Sequence, residues 1–216
     1  MMRVLHIDAS PRGERSKSRS VADSFLRAVP DHWSITLLEP WSLKLPAMGG
    51  DMIEGRYSMI MGEAVSSELN RAWQEVEQIA ADFLSHDIFV ISTPMWNFGL
   101  PYPLKHYIDV VTQPGMTFRN DAVGNVEGLA AGKTAVIIAA SAMPIAADSP
   151  LQEFDFQQRY LEKWLGFIGI TDIQAIRVAP TYGDEDVVTE ATNAARSRAS
   201  ELAAQLSDVN HGSKPD

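Results

Sequence analysis

Val4-Leu5-His6-Ile7-Asp8-Ala9-Ser10-Pro11-Arg12-Gly13-Glu14-Arg15-Ser16-Lys17-Ser18-Arg19-Ser20 is the stretch on which the fold turns. It opens with an apolar run suited to a buried strand, and beyond Ser20 the residues Val21, Phe25 and Val29 recur at helical spacing. What lies between is a strand-to-helix loop. That loop sets Arg12, Arg15, Lys17 and Arg19 among the hydroxyls of Ser10, Ser16, Ser18 and Ser20. The first turn of a helix has unpaired N–H groups and a partial positive charge, so an anion docked there gains hydrogen bonds and dipole energy together. Two readings stand at this point: a phosphate site, or a solvated helix cap in which Ser18 or Ser20 closes the helix start.

Outward from this loop, apolar runs and helical patterns alternate. Ser34–Leu38 is a second strand, residues 67–86 form a long amphipathic helix through Leu69, Trp73, Val76, Ala80 and Phe83, and Ile88–Ser92 is a third strand. A helix over 103–111 and a short extended piece at Gly115–Arg119 precede a fourth strand, Thr134–Ala140. Leu161, Trp164, Leu165 and Ile168 mark another helix, Asp172–Val178 a last strand, and Val188 to Leu206 a final helix. Between Glu39 and Ser66 no clean period holds, although the segment carries Trp41, Met48, Met52, Tyr57, Met59 and Met61; it reads as a long apolar loop, either a lid or interface or a loop packed on its own core.

Apolar strands alternating with helices predict an α/β fold, a doubly wound five-stranded parallel sheet with helices on both faces, and the order 2-1-3-4-5 suits five strands. In such sheets ligands bind at the carboxyl ends of the strands, where the order reverses between the first and third. The loops after residues 8, 93 and 140 are therefore expected to meet at one edge. One domain over residues 1–206 is expected, with 207–216 a frayed polar tail.

The composition narrows the functional classes. The chain has 216 residues, 45% hydrophobic, and a formal net charge of -10 at pH 7, which argues against a nucleic-acid groove or an anionic membrane surface. It has no cysteine, which rules out disulfides and thiolate chemistry and is compatible with a reducing cytoplasm, the expected location. No apolar run is long enough to span a bilayer. Gly128-Leu129-Ala130-Ala131-Gly132-Lys133-Thr134 approaches a triphosphate loop, but Glu127 stands where its first glycine belongs, and it precedes a strand instead of following one. The first loop has a single glycine, so no dinucleotide fingerprint is present. The five histidines lack metal-ligand spacing, so no metal site is expected, and a Ser-His-Asp hydrolase, possible on this architecture, finds no GxSxG elbow to support it.

Pro94-Met95-Trp96-Asn97-Phe98-Gly99-Leu100-Pro101 then supplies what the first loop lacks. Pro94 fixes a backbone angle, Gly99 permits an unusual one, and Trp96 and Phe98 offer flat apolar surface beside the Asn97 amide. Alone, this is either a ring-binding loop or an aromatic turn capping the core. Opposite a phosphate loop, it suits a nucleotide with one phosphate and a large flat ring, for which FMN is the obvious candidate.

The chain resembles the FMN-dependent NADH-azoreductase family, within the flavodoxin-like quinone reductases. The resemblance rests on the first strand with Ser10 and Ser16-Lys17-Ser18, on Pro94-Met95-Trp96-Asn97-Phe98, on Gly115-Met116-Thr117-Phe118-Arg119 and on Leu165-Gly166-Phe167-Ile168-Gly169-Ile170. It implies a flavodoxin-like fold, with Ser10, Ser16, Lys17 and Ser18 at the FMN phosphate, Pro94, Met95, Trp96, Asn97 and Phe98 along the ring, and Ser141 nearby. It also implies tightly bound, non-covalent FMN, NADH or NADPH as donor, and ping-pong transfer of two electrons to a quinone or azo compound. A homodimer with sites at the interface is implied as well. Phe118, Met59 and Met61 are the candidate pocket walls. One departure stands out: the family has Ser-Arg-Gly-Gly where this chain has Ser141-Ala142-Met143-Pro144. The competing class is a flavodoxin-like electron carrier or flavin-binding signalling module without turnover of its own, to which the apolar segment 39–66 would be superfluous.

Overall fold

The computed structural model describes residues 1–145 and 149–212, with side chains through residue 208. In chain order the elements are β1 (Arg3–Asp8), α1 (Lys17–Ala28), β2 (Ser34–Leu38), α2 (Gly50–Ile60), α3 (Ser67–Leu84), β3 (Ile88–Pro94), α4 (Tyr102–Val111), β4 (Phe118–Asn120), β5 (Val126–Gly128), β6 (Thr134–Ala140), α5 (Phe156–Phe167), β7 (Asp172–Val178) and α6 (Glu185–Gly212). Five strands form one sheet in the order β2-β1-β3-β6-β7. Every pairing within it is parallel. This is the doubly wound order expected from the alternation of elements, and its reversal lies between β1 and β3.

The two faces of the sheet bury different strand residues because successive side chains alternate. Leu5, Ile7, Phe89, Ile91 and Ile137 pack with Phe83, Leu104, Tyr107 and Leu165, which places α3, α4 and α5 on one face. Val4, Val90, Val136 and Ile138 pack with Val21, Phe25, Ala199 and Leu202, which places α1 and α6 on the other. Full burial of a side chain such as Phe25 contributes about 1.5–3 kcal/mol, so each helix is held by several such anchors. His6, Asp8 and Ser92 share the alternation of Val4 and Val90 and so sit on the α1 side, although they are polar.

Three expectations require correction. The segment 39–66 is not one long loop: it contains a short 3-10 turn at Pro40–Ser42 and the helix α2. The extended piece near Gly115 is half of an antiparallel hairpin, in which β4 pairs with β5. The final helix does not end before Ser207 but continues through Gly212, because no proline or glycine interrupts residues 207–211. The rest of the expected tail, residues 213–216, lies outside the described residues.

Candidate functional site

The loop after β1 is built by its serines. Ser16 is the N-cap of α1, its Oγ accepting the Arg19 N–H at 3.1 Å, and the Ser18 Oγ lies 3.1 Å from it. Ser10 Oγ accepts the Arg12 N–H at 3.4 Å, while the Ser10 N–H donates to Asp8 Oδ1 at 3.1 Å. All three serines are buried. The cap is thus Ser16, not Ser18 or Ser20, and capping leaves the earliest N–H groups of α1 without intrahelical partners. Ser10, Ser16, Lys17 and Ser18 line a cleft of about 130 Å³, which Pro94 and Met95 close from the β3 side. Arg12, Ala140, Ala142 and Thr181 complete the lining. The loops after β1, β3 and β6 meet there at the carboxyl edge of the sheet. Thr181 was missed from sequence although it lies just past the carboxyl end of the last strand, which is the position the edge rule singles out.

Arg19 does not face the cleft as a free cation. Its guanidinium lies 3.1 Å from Asp8 Oδ2 and 3.1 Å from Glu39 Oε1. Asp8 is fully buried, and Asp8 and Ser92 are register partners on β1 and β3. Ser92 Oγ donates to Asp8 Oδ1 at 3.3 Å and lies 2.9 Å from His6 Nε2, so the imidazole donates in its turn. Burial pushes the Asp8 carboxyl above its ordinary range, against the pull of the Ser10 N–H, Arg19 and Ser92. Burial, with the Arg19 charge adding to it, lowers His6 from 6.5 to about 4, so its ring is neutral at neutral pH. A buried polar chain of His6, Ser92, Asp8 and Arg19 therefore underlies the serine loop.

The loop after β3 is a tight turn. Trp96 and Gly99 exchange both backbone hydrogen bonds, at 3.0 and 2.9 Å, and the residues between them are left-handed, Asn97 at φ 46° and Phe98 at φ 71°. The unusual angles expected of Gly99 thus fall on its two predecessors. Asparagine tolerates this region, whereas phenylalanine there is strained, a cost of about 1–3 kcal/mol that surrounding contacts must offset. The Met95 N–H bonds to Ala140 O at 2.7 Å and the Phe98 carbonyl accepts the Phe156 N–H at 3.0 Å, which pins the turn on both sides. Trp96, Asn97 and Phe98 remain exposed beside the cleft.

The remaining candidates are placed differently. Ser141 is buried and directs its hydroxyl to Met143 O at 2.7 Å, within its own loop. Phe118 packs against Phe167, ring centroids 4.8 Å apart, away from the cleft lining. Met59 packs beside Met52, Trp73, Val76 and Val110, and Met61 is 73% exposed. None of these three lines the cleft within one chain. A larger cavity of about 800 Å³ between α5, β7 and α6 gathers none of the expected residues; the ion pair between Arg177 and Asp155 lies in its wall. The near-triphosphate loop has a structural role, since Lys133 Nζ donates to the carbonyls of Leu84 and His86 at 2.7 and 2.6 Å. Among the described residues no group of three or more His, Asp or Glu is placed to hold a metal ion, and no helix is long and apolar enough to cross a membrane.

Comparison with known proteins agrees with the doubly wound fold. Residues 2–203 match a family model described as a flavodoxin-like fold. The chain is 41% identical over 184 residues to the FMN-dependent NADH:quinone oxidoreductase of Nitratidesulfovibrio vulgaris, covering 84% of this chain and 88% of that one. It is 37% identical over 212 residues to the FMN-dependent NADH:quinone oxidoreductase 3 of Pseudomonas fluorescens, covering 95% and 98%. The crystal structure of an azoreductase from Bacillus anthracis superposes with a TM-score of 0.86 at 25% identity, covering 95% of this chain and 100% of that one.

Proposed function

Because the chain belongs to the flavodoxin-like family of FMN-dependent NADH:quinone oxidoreductases, and is an oxidoreductase, we propose that it binds FMN non-covalently and passes two electrons from NADH or NADPH to quinones, azo compounds or both by a ping-pong route. The observation that carries the reading is the convergence of the Ser10, Ser16 and Ser18 hydroxyls and the α1 N-terminus on the Pro94–Met95 wall of one cleft. A volume of about 130 Å³ is well below the ~300 Å³ at which sites for whole drug-sized ligands begin, so the cleft is sized for a phosphate end and not for a tricyclic ring. The unpaired N–H groups of α1 and the buried hydroxyls are the donors that a phosphate needs.

FMN held in this site would supply the two-electron redox chemistry between a nicotinamide donor and the acceptor. The chain's own residues hold and orient. Ser10, Ser16 and Ser18 donate to phosphate oxygens, and Lys17 and Arg12 supply charge. Pro94, Met95, Trp96, Asn97 and Phe98 flank the ring and exclude water along one side, and Ser141 acts through the shape of its loop. Asp8, held by Arg19 and Ser92, fixes the loop that receives the phosphate.

The proposal includes a homodimer, because one chain leaves the exposed faces of Trp96 and Phe98 without a second wall. Phe118, Met59 and Met61 belong to the substrate pocket in this reading only as contributions across that interface. The setting is the reducing cytoplasm, with which a chain lacking cysteine is compatible.

The test is an FMN titration of the apoprotein, then anaerobic addition of NADH, then menadione or an azo dye. Bleaching of the bound flavin followed by steady turnover is expected. Ser18→Ala, which leaves the Ser16 cap in place, is expected to weaken FMN binding by about 0.5–1.5 kcal/mol, roughly two- to twelvefold. Absence of flavin binding overturns the proposal; bleaching without acceptor turnover replaces it with an electron carrier.

A further inference from the structure

The turn after β2 touches both halves of the proposed flavin site. Glu39 reaches the phosphate side through Arg19, which it shares with Asp8 at 3.1 Å. Two residues on, the Trp41 indole N–H donates to the carbonyl of Ala9 at 2.9 Å, between Asp8 and Ser10 in the serine loop. The same indole lies against Trp96 of the ring-facing turn, centroids 5.3 Å apart at 57°, and against Tyr102 at the start of α4, 5.3 Å apart at 73°. Pro40 is buried and the 3-10 turn Pro40–Ser42 closes through Ser42 N–H to Glu39 O at 2.9 Å, so the indole is presented from a rigid base.

An aromatic residue serving only the core would be packed among core side chains. Trp41 is instead half-buried, and besides its contact with Tyr102 its hydrogen bond goes to one loop of the site and its ring to the other. The ring-facing turn is left-handed at Asn97 and strained at Phe98, and its Trp96 side chain is 38% exposed. A rigid neighbour can narrow the positions open to that side chain without touching a ligand. We propose that Trp41 is a positioning residue that couples the phosphate loop to the ring-facing turn, setting the placement of Trp96 relative to the Ser10–Ser18 cleft. The inference rests on the flavin reading of that cleft.

Two variants separate the halves of this brace. Trp41→Phe keeps a flat ring toward Trp96 and loses the donor to Ala9; Trp41→Leu loses both. Far-ultraviolet circular dichroism of the apoprotein reads the indole pair directly, and both variants are expected to lose a wild-type exciton couplet. With FMN added, both variants are expected to weaken FMN binding about two- to twelvefold, the range of one lost hydrogen bond. Trp41→Leu alone is expected to change the visible circular dichroism of the bound flavin and to raise the KM for menadione with kcat unchanged. Trp41→Phe restores both toward wild type. A residue that only stabilises the fold would lower the unfolding temperature and leave the flavin spectrum and KM where they were. If wild type binds FMN and both variants match it in FMN affinity, flavin spectrum and KM, the inference fails alone, whatever the unfolding temperatures. If wild type takes up no FMN, the function and the inference fall together. Should Trp41→Leu not fold, the FMN affinity of Trp41→Phe decides: a value equal to wild type overturns the inference.

Discussion

His6 and Asp8 stand two apart on β1 and respond to burial in opposite ways. The folded imidazole, lowered to about 4, refuses the proton that the unfolded chain takes up near 6.5. Its contribution to stability is therefore complete above that unfolded value and lost as pH falls from 6.5 toward 4, by up to about 3 kcal/mol. Asp8 works against this, because its raised carboxyl favours the fold below the unfolded value and the benefit disappears as pH rises through the folded one. The expected outcome is a steep acid limb in urea midpoints measured across pH 4–6.5, and a shallower one for His6→Gln, whose amide still reaches toward Ser92; an unchanged limb would remove His6 as its source. Ser16 makes a separate point at the same scale. Its cap bond to the Arg19 N–H and its place in the cleft lining belong to one side chain, so capping α1 does not exclude an anion site there, although the cap is Ser16 and not the expected Ser18 or Ser20. The left-handed Phe98 was illegible beforehand, because its angle is imposed by the Trp96–Gly99 pairing and not preferred by phenylalanine.

Among the elements, α2 escaped detection because it is apolar on two sides. Met52 and Gly55 face inward, with Met59 beside them, whereas Ile53, Tyr57 and Ile60 recur at i, i+4 and i+7 along an exposed stripe. Two superposed stripes cancel the single period by which an amphipathic helix is recognised. Helices with one buried stripe, such as α1 and α3, were readable for the opposite reason. The three-residue strand β5 was too short to carry a pattern, and its tertiary setting accounts for the near-triphosphate glycine. A Cβ on Gly128 would stand 2.1 Å from the Gly169 nitrogen and 2.2 Å from the Ile168 carbonyl carbon, so β5 crosses the end of α5 backbone against backbone. Gly128→Ala is expected to lower unfolding stability by about 3 kcal/mol, the upper end for overpacking, because no flexible side chain is available to yield. A denaturant midpoint equal to wild type would show that the crossing can open freely.

For the molecule as a whole, the exposed stripe of α2 and the open side of the cleft pose the same question. Tyr57 is 57% and Ile60 61% exposed, and substitution of such positions normally changes monomer stability by less than about 0.5 kcal/mol. Wild type is expected to sediment at twice the chain mass and the Tyr57→Glu/Ile60→Glu pair at the mass of one chain with unchanged monomer fold; a monomeric wild type would end the dimer proposal. The sequence by itself determined the five strands, their parallel order and the edge at which three loops converge, because strand burial and helix periodicity are local patterns written into neighbouring residues. It also named the serines and the Pro94–Phe98 turn that meet at that edge. Only the tertiary structure decided that Arg19 turns inward to Asp8 and Glu39, that Trp41 joins the two loops, that Ser141 is spent on its own loop, and that Met59 and Met61 lie outside the cleft of their own chain. Those outcomes depend on which side chains meet across strands and loops far apart in the chain, and no local period carries that information.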